Sequence, residues 1–196
     1  MRFGPDFRES HSLPDGSSVS LRLIRPSDRA VLRQGIRELS PESRYARFLA
    51  APLPSEEMLT YLTEVDGINH VAIVASIDSL DLKTERAAGV ARFVRLKDTP
   101  DAAEAAITVV DLDQGKGIGQ ILLRTLVDAA RERGITRFRG EVLASNARVL
   151  HILERVGAEV RPVSADTLEF DVSIAGERSP LHETISTVLR RLRSPP

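Results

Sequence analysis

The order of apolar and polar residues along the chain predicts seven strands and six helices. Residues 69–77 are apolar almost throughout, which is typical of a central strand covered on both faces. Residues 19–24 instead alternate between apolar and polar side chains, as expected for a half-buried strand. The remaining strands are predicted at residues 88–96, 103–110, 137–143, 159–163 and 167–174.

Capping residues and apolar positions spaced three or four residues apart indicate where the helices begin. The predicted starts are Ser27 or Asp28, Ser40, Ser55, Ile118, Asn146 and Ser179. The short helix after Ser55 is expected to turn Met58, Leu59 and Leu62 inward. The clearest apolar face belongs to the helix with Ile118, Leu122, Leu126 and Ala129.

The resulting order, β-α-α-α-β-β-β-α-β-α-β-β, predicts an α/β (α+β) fold. Its mixed central sheet of about seven strands would carry helices on both faces. Residues 18–174 are expected to form this domain, preceded by an arm over residues 1–17. Residues 175–196 are expected to form a linker and an amphipathic helix, whose apolar stripe packs on the sheet or on a second subunit. The sequence is therefore compatible with a monomer or a homodimer. The stripe consists of Leu181, Ile185, Val188, Leu189 and Leu192.

Composition narrows the classes of function. The 196 residues carry a net charge of −1, so a nucleic-acid-binding face is not indicated. Cysteine is absent and the four histidines lack metal-ligand spacing, so neither a disulfide framework nor a metal centre is expected. The chain begins with no signal peptide and contains no apolar stretch of membrane-spanning length, so we expect a cytoplasmic protein without membrane contact.

The main chemical signal is a glycine-rich loop, Gln114–Gly119, between a strand and the helix at Ile118. Glycines at a helix N-terminus let backbone amides approach a ligand, and the helix dipole favours an anion there, usually a phosphate. A P-loop would need Gly-Lys-Ser/Thr five residues after its first glycine, but Gly115 is followed at that distance by Gln120. The dinucleotide pattern G-x-G-x-x-G fails at the same residue.

The loop resembles the pyrophosphate loop of the GCN5-related N-acetyltransferases (GNAT), whose pattern is Q/R-x-x-G-x-G/A. Gln114, Gly117 and Gly119 match this pattern. The order of elements is also that of the GNAT superfamily, so the resemblance covers about residues 18–174. Two further segments, LRLIRPSD at 21–28 and LSPESRYARF at 39–48, look like the catalytic domain of bacterial Pat-type protein lysine acetyltransferases.

The resemblance implies that acetyl-CoA binds at this loop. The residues implied in contacting its diphosphate, mainly through backbone N–H groups, are Gln114, Gly115, Lys116, Gly117, Ile118, Gly119 and Gln120. The strand end at Val109 and Val110 would diverge from its neighbour and pair with the pantetheine amides, and a backbone N–H there would stabilise the oxyanion. Asn146 either contacts the pantetheine arm or only caps its helix. Lys116 and Arg124 either meet phosphate charge or remain solvated.

Transfer to an amine also requires a proton acceptor. A lysine amine has a pKa of about 10.4, so populating its free base at pH 7 costs roughly 4–5 kcal/mol. Glu104 is the candidate base, because it shares a strand face with the small or uncharged Ala106, Thr108 and Val110. Pat-type enzymes carry a glutamate in the corresponding A-E-x-A strand and use it in this way. A solvated edge glutamate is the alternative interpretation, and His70 is a weaker candidate base.

The sequence does not supply an evident proton donor for the leaving thiolate. Many GNAT members have a tyrosine seven residues after the asparagine that caps the helix, but here that position is Leu153. Pat-type sequences also lack the tyrosine. Water would therefore protonate the thiolate, or the thiolate would leave unassisted.

Two classes of function remain open from the sequence. The first is an acetyl-CoA-dependent N-acetyltransferase that acts on a protein lysine or, alternatively, on a small-molecule amine. The second is a non-catalytic acyl-CoA-binding module that senses the cofactor or scaffolds a partner. The presence of Glu104 favours the enzyme.

Overall fold

A single mixed sheet of eight strands forms the centre of the computed structural model, which describes residues 1–48, 53–78 and 85–176. The strands are β1 (Arg8–Ser12), β2 (Ser18–Leu23), β3 (His70–Asp78), β4 (Glu85–Arg95), β5 (Ala102–Val109), β6 (Arg137–Leu143), β7 (Glu159–Pro162) and β8 (Thr167–Ser173). Their spatial order is β1-β2-β3-β4-β5-β6-β8-β7. Every neighbouring pair is antiparallel except β5 and β6, which run parallel.

Helices cover both faces of this sheet. The described helices are α1 (Arg29–Arg37), α2 (Pro41–Phe48), α3 (Glu56–Thr63), α4 (Ile118–Arg131) and α5 (Ala147–Arg155). The buried side of α4, including Leu122 and Leu126, packs with Phe93 and Phe138 in the main core. Helices α1 and α3 form a second cluster on the opposite face. The predicted mixed sheet with helices on both faces is therefore confirmed.

Strand β3 lies between the two cores, which explains its uniformly apolar sequence. Val71 and Ile73 belong to the main core with α4, whereas Ala72 packs in the second cluster with Leu32 of α1 and Leu59 of α3. A strand that is buried on both faces has no position where a solvated side chain would be favoured. None of the helices in the described residues combines the length and the apolar character that crossing a bilayer requires.

The N-terminal segment differs from its sequence prediction. Within the predicted arm, Arg8–Ser12 forms β1, which pairs antiparallel with β2, while Phe3, Phe7 and Leu13 are buried in the main core. The sequence RESHS contains no apolar residue, so this edge strand has no period-2 hydrophobic pattern to reveal it.

Two other predictions concern single helices. Met58 was expected to face inward, but its side chain is 43% exposed, because α3 buries the face formed by Leu59, Leu62 and Thr63. The predicted C-terminal helix after Ser179 lies outside the described residues. Of the predicted helix caps, Asp28 occupies the N-cap position of α1 but makes no capping hydrogen bond with its side chain, whereas the Ser40 hydroxyl accepts from the Ser43 N–H at 3.1 Å. The caps at Ser55 and Asn146 are also present. Ser55 accepts a hydrogen bond from the Met58 N–H, and Asn146 accepts one from the Val149 N–H.

A buried ion pair joins β2 to the beginning of α1. Arg22 donates to both carboxylate oxygens of Asp28, at 2.6 Å and 2.8 Å, and the Arg25 N–H donates to the same carboxylate at 2.7 Å. Arg22 and Asp28 are both more than nine-tenths buried. Removing one partner of such a pair leaves the other charge buried without compensation.

We therefore expect Asp28→Asn to lower the free energy of unfolding by about 3 kcal/mol in urea denaturation. The control is Glu56→Gln, which removes the more exposed ion pair between Glu56 and Arg33 and should cost less than about 1 kcal/mol. Equal losses for the two variants would show that Arg22 recovers its hydrogen bonds with other acceptors.

Candidate functional site

The parallel strands β5 and β6 separate soon after they meet, and the candidate site lies where they diverge. They pair only over Ala102–Glu104 and Arg137–Arg139, whereas β5 continues to pair with β4 as far as Val109. Gly140 stands at the divergence. A Cβ atom there would lie 2.7 Å from the Phe170 ring and 3.0 Å from the Ala105 carbonyl oxygen, so only glycine fits this position without rearrangement.

The backbone direction of β5 decides which groups face the gap. The Val110 N–H donates to the Ala88 carbonyl at 2.9 Å, so this amide points towards β4. Because successive residues of a strand direct their backbone groups to opposite sides, the N–H groups of Val109 and Ile107 face the gap. The Val109 carbonyl accepts a hydrogen bond from the Gln114 side chain at 3.2 Å. Of the two valines predicted to pair with pantetheine, Val109 is the better placed in this arrangement.

The glycine-rich loop presents a series of backbone donors at the beginning of α4. Gly115 and Gly117 adopt left-handed φ values of 82° and 90°, which glycine accommodates without strain. The Gln120 and Ile121 N–H groups both donate to the Gly117 carbonyl. Among the described residues, the N–H groups of residues 115–119 have no hydrogen-bond acceptor in the protein.

These features fit a diphosphate at the loop. A Cβ atom on Gly115 would meet no atom within 4 Å, so space is open beside the donors, and Gly119 sits against the Val109 side chain. The Gln120 side-chain oxygen is buried and has no partner in the described part of the protein. Free N–H groups at a helix N-terminus together with the helix dipole form a site for an anion.

A buried carboxylate that the sequence analysis missed, Asp113, anchors the loop through ion pairs. Asp113 is fully buried and accepts hydrogen bonds from Arg86, at 2.6 Å and 3.0 Å, and from Lys116 at 2.9 Å. Burial alone would raise the pKa of Asp113, but the hydrogen bonds from Arg86 and Lys116 outweigh it and lower the pKa. The predicted phosphate contact of Lys116 would therefore compete with this ion pair.

A second carboxylate fixes α2 beside the loop. Asp111 accepts from the Ser40 N–H at 3.0 Å, from the Ser40 hydroxyl at 3.0 Å and from the Ser43 hydroxyl at 2.8 Å. Burial opposes ionisation of Asp111, but these hydrogen bonds prevail and lower its pKa. Because Ser40 lies 71 residues before Asp111, no local sequence signal indicates this contact.

Glu104 is exposed and is the last β5 residue that pairs with β6. It lies opposite Val94 of β4 and shares its face with Ala106 and Thr108. Burial lowers the pKa of Arg47, and the charge of Glu104 acts in the opposite direction, so the two side chains are close enough to interact. The predicted base thus stands at the divergence of the strands, open to solvent.

His70 has a structural environment. Its Nε2 atom lies 3.1 Å from a nitrogen of Arg92, and since arginine can only donate, Nε2 is the acceptor and the ring proton is on Nδ1. Burial, followed by the charge of Arg92, lowers the pKa of His70 to about 4, although Asp66 opposes the shift. The imidazole is therefore neutral at pH 7, and the lone pair on its unprotonated nitrogen, Nε2, accepts a hydrogen bond from Arg92.

A pocket on the same face of the sheet as Glu104 contains two arginines that the sequence analysis did not single out. Arg47 of α2 and Arg92 of β4 line it together with Thr108 of β5. Its other walls are mainly apolar and include Leu32, Ile36, Leu39, Leu62 and Val90. The only signal in the sequence was Arg92 itself, a charged residue in the middle of the otherwise apolar strand segment AAGVARFV at residues 87–94.

The remaining predicted positions lie near α5. Asn146 caps this helix through its side chain, and its contact with pantetheine remains a prediction. Leu153 is buried, so an apolar side chain occupies the position where many GNAT members carry a tyrosine. Within residues 1–48, 53–78 and 85–176, no group of three or more His, Asp or Glu residues is arranged to hold a metal ion.

Comparison with known proteins agrees with this geometry. The sequence model of the Acetyltransferase (GNAT) family matches residues 35–158. Acetyltransferase Pat of Mycolicibacterium smegmatis is 37% identical over 147 residues, which are 73% of this chain and 42% of that protein. Acetyltransferase PA5475 of Pseudomonas aeruginosa is 34% identical over 137 residues, which are 69% of this chain and 72% of that protein. The chain thus spans less than half the length of its mycobacterial relative.

Comparison with solved structures points to the same family. The crystal structure of the GNAT domain of S. lividans PAT superposes with a TM-score of 0.74 at 27% identity, covering 85% of this chain and 96% of that chain. The resemblance inferred from the glycine-rich loop and from residues 21–28 and 39–48 is confirmed by these matches. On this combined evidence, the chain belongs to the acetyltransferase (GNAT) family.

Proposed function

We propose that this chain transfers the acetyl group of acetyl-CoA to an amine, and that the amine is a protein lysine. The observation that carries the proposal is the divergence of β5 from β6 next to a loop with unpaired backbone N–H groups. The first feature offers strand-like pairing to an amide-containing arm, and the second offers donors to a diphosphate. Coenzyme A contains both groups, separated by the length of its pantetheine arm.

Each part of the site has a separate task under this proposal. When bound, acetyl-CoA supplies the thioester whose acetyl group is transferred. The N–H groups of residues 115–119 hold negative charge at the start of α4. The gap-facing N–H groups of Ile107 and Val109 hold the pantetheine arm and donate to the oxygen that becomes negative as the amine attacks. The Val110 N–H does not bind coenzyme A in this proposal, because it donates to the Ala88 carbonyl. Val110 only follows the strand edge that does.

Glu104 acts as the general base in this proposal. It lies three residues before Ile107, about 10 Å along the strand, so an acceptor amine at the divergence can release its proton to the carboxylate directly or through one water. His70 is a poor substitute, because its pKa is about 4 and its acceptor nitrogen already binds Arg92.

The exposure of Glu104 supports a protein lysine as the acceptor. A long side chain that projects from a protein surface can reach a carboxylate that faces solvent, whereas a small amine would need walls to hold it. The likeness of residues 21–28 and 39–48 to Pat-type lysine acetyltransferases supports the same acceptor. A small-molecule amine is the second candidate, because the pocket beside Arg92 provides such walls.

Coenzyme A should stabilise the native protein in a melting experiment. A ligand that binds only the folded state adds about 2.7 kcal/mol at a concentration one hundred times its dissociation constant. NAD and ATP should raise the melting temperature much less, because they lack the pantetheine arm. An equal response to all three ligands, or none to any, would contradict the assignment of the loop.

Substitutions of the glycines that precede and follow α4 provide a matched pair for this experiment. Gly117 and Gly134 both have left-handed φ values, 90° and 74°, so alanine should cost each variant about 1–2 kcal/mol of stability. Only Gly117→Ala should reduce the further stabilisation by coenzyme A. A similar reduction in Gly134→Ala would mean that the loss reflects general destabilisation.

Glu104→Gln should lower the rate of acetyl transfer at pH 7 by about 10²–10⁴-fold, because the amide keeps the volume but cannot accept the proton. Coenzyme A affinity should barely change, since the loop binds through its backbone. At high pH the mutant should recover part of its deficit, because the acceptor lysine then loses its proton unaided.

The control for this variant is Glu141→Gln, an exposed glutamate on β6, which should retain the wild-type rate. Initial rates with a lysine peptide across the pH range provide the measurement. A near wild-type rate for Glu104→Gln at pH 7 would assign Glu104 a structural role. It would also leave water as the proton acceptor.

A further inference from the structure

Arg92 is an exception among the buried arginines of the described residues. Arg22 pairs with Asp28, and Arg133 pairs with Glu132 at 3.4 Å, so each has a carboxylate partner. Arg92 is only 6% exposed, but its hydrogen bonds go to the Leu62 carbonyl and to His70, both of which are neutral acceptors. A buried cation without a counter-ion is costly unless an anion reaches it.

A second arginine brings its charge to the same pocket. Arg47 makes no hydrogen bond or ion pair within the described part of the chain, and its guanidinium lies 4.9 Å from the centre of the Phe48 ring. Burial, followed by the charge of Arg47, lowers the pKa of Arg92 to about 9, so Arg92 remains charged at pH 7. Two charged guanidinium groups therefore share a pocket that has no carboxylate among its described lining residues, and the charge of Glu104, which is exposed on the same sheet face, acts on Arg47 only.

The third polar group of the pocket also lacks a partner. The Thr108 hydroxyl is buried without a hydrogen bond in the described part of the protein. Thr108 lies opposite Val90 on β4, one side-chain position along the same face from the Arg92–Ala106 pair, so both residues project towards the same space. An oxygen atom between them could accept from the hydroxyl and from the guanidinium.

We propose that this pocket binds a carboxylate carried by one of the two substrates of the acyl transfer. Arginine presents planar pairs of N–H donors that match the two oxygens of a carboxylate. The apolar side chains of Leu32, Ile36 and Val90 would surround the short carbon chain that carries it. This inference rests on the proposed function and adds that one of the two substrates carries a carboxylate.

The carboxylate can reach the pocket from two sources. It is either the terminal group of a dicarboxylic acyl chain on coenzyme A, such as succinyl, or the carboxylate of an amino-acid acceptor. The transfer is the same in both cases. The amine nitrogen bonds to the acyl carbon, the carbon–sulfur bond breaks with its electron pair on sulfur, and the amine proton passes to Glu104. The pocket carboxylate takes no part in bond making.

Two assays distinguish these sources. The first compares succinyl-CoA with acetyl-CoA on one lysine peptide, and the second compares free amino acids with their amides as acceptors for acetyl-CoA. We expect the carboxylate-bearing member to have the higher kcat/KM in one of the two assays, by about 10- to 100-fold, which is the usual effect of hydrogen bonds to a charged group.

Variants at the two arginines test the cause of that preference. Arg47→Met should reduce the ratio of kcat/KM values for the carboxylate-bearing and carboxylate-free members to near one. Arg92→Lys should reduce it in part, because lysine keeps the charge but loses the paired donors. Arg33→Met is the control, since Arg33 pairs with Glu56 and does not line the pocket. Because Arg47 makes no hydrogen bond in the described residues, its loss should not unfold the protein.

Separate outcomes overturn the inference and the proposed function. Transfer without a carboxylate preference in either assay, or a preference that survives Arg47→Met, would overturn the carboxylate pocket alone. Absence of transfer with every pair would overturn the proposed function. In that case, binding measurements would still test whether the pocket binds a carboxylate. They are calorimetric affinities for succinyl-CoA and acetyl-CoA, and thermal shifts with amino acids and their amides. Equal binding within both pairs would overturn it, and a preference abolished by Arg47→Met would support it.

Discussion

The short parallel pairing between β5 and β6 is the constraint on which the site depends. Each strand is held firmly on its other side, β5 by β4 and β6 by β8, so neither can move to close the gap beyond Glu104. Backbone N–H and C=O groups require partners, and those of β5 that face the gap obtain none from β6. The fold therefore leaves part of a strand edge available to a ligand, while Gly140 lets the chains approach closely just before they separate.

Two carboxylates fix the segments that border this gap. Asp113 holds the loop from below and Asp111 holds α2 beside it. The pKa of each is lowered from the ordinary value of 3.8, so their contribution to stability is present above that value and is lost as the pH falls through the lowered values. Both groups are therefore ionised at neutral pH, where their hydrogen bonds hold α2 and the loop in place.

The sequence predicted those features of the fold that depend on neighbouring residues. Caps at Ser55 and Asn146 and the glycine-rich loop were predicted from neighbouring residues, and the structure places them at the expected helix starts. The edge strand β1 was missed because RESHS has no apolar alternation. The pocket shared by Arg47 and Arg92 and the hydrogen bonds between Ser40 and Asp111 bring together elements far apart in the chain, so both arise only from the fold.

The position of the arginines has a further consequence for the proposed chemistry. An acceptor amine must lose its proton before it attacks, and in the proposed reaction an ammonium group near Arg47 and Arg92 meets the positive charge that the bound carboxylate leaves unbalanced. Like charges disfavour the protonated form and lower the pKa of the amine, whereas Glu104 attracts the ammonium and accepts its proton. Each unit of lowering reduces the cost of the free base by about 1.4 kcal/mol. Under the proposed function, the cations therefore favour loss of the proton by destabilising the ammonium, and the exposed carboxylate on the same sheet face accepts it.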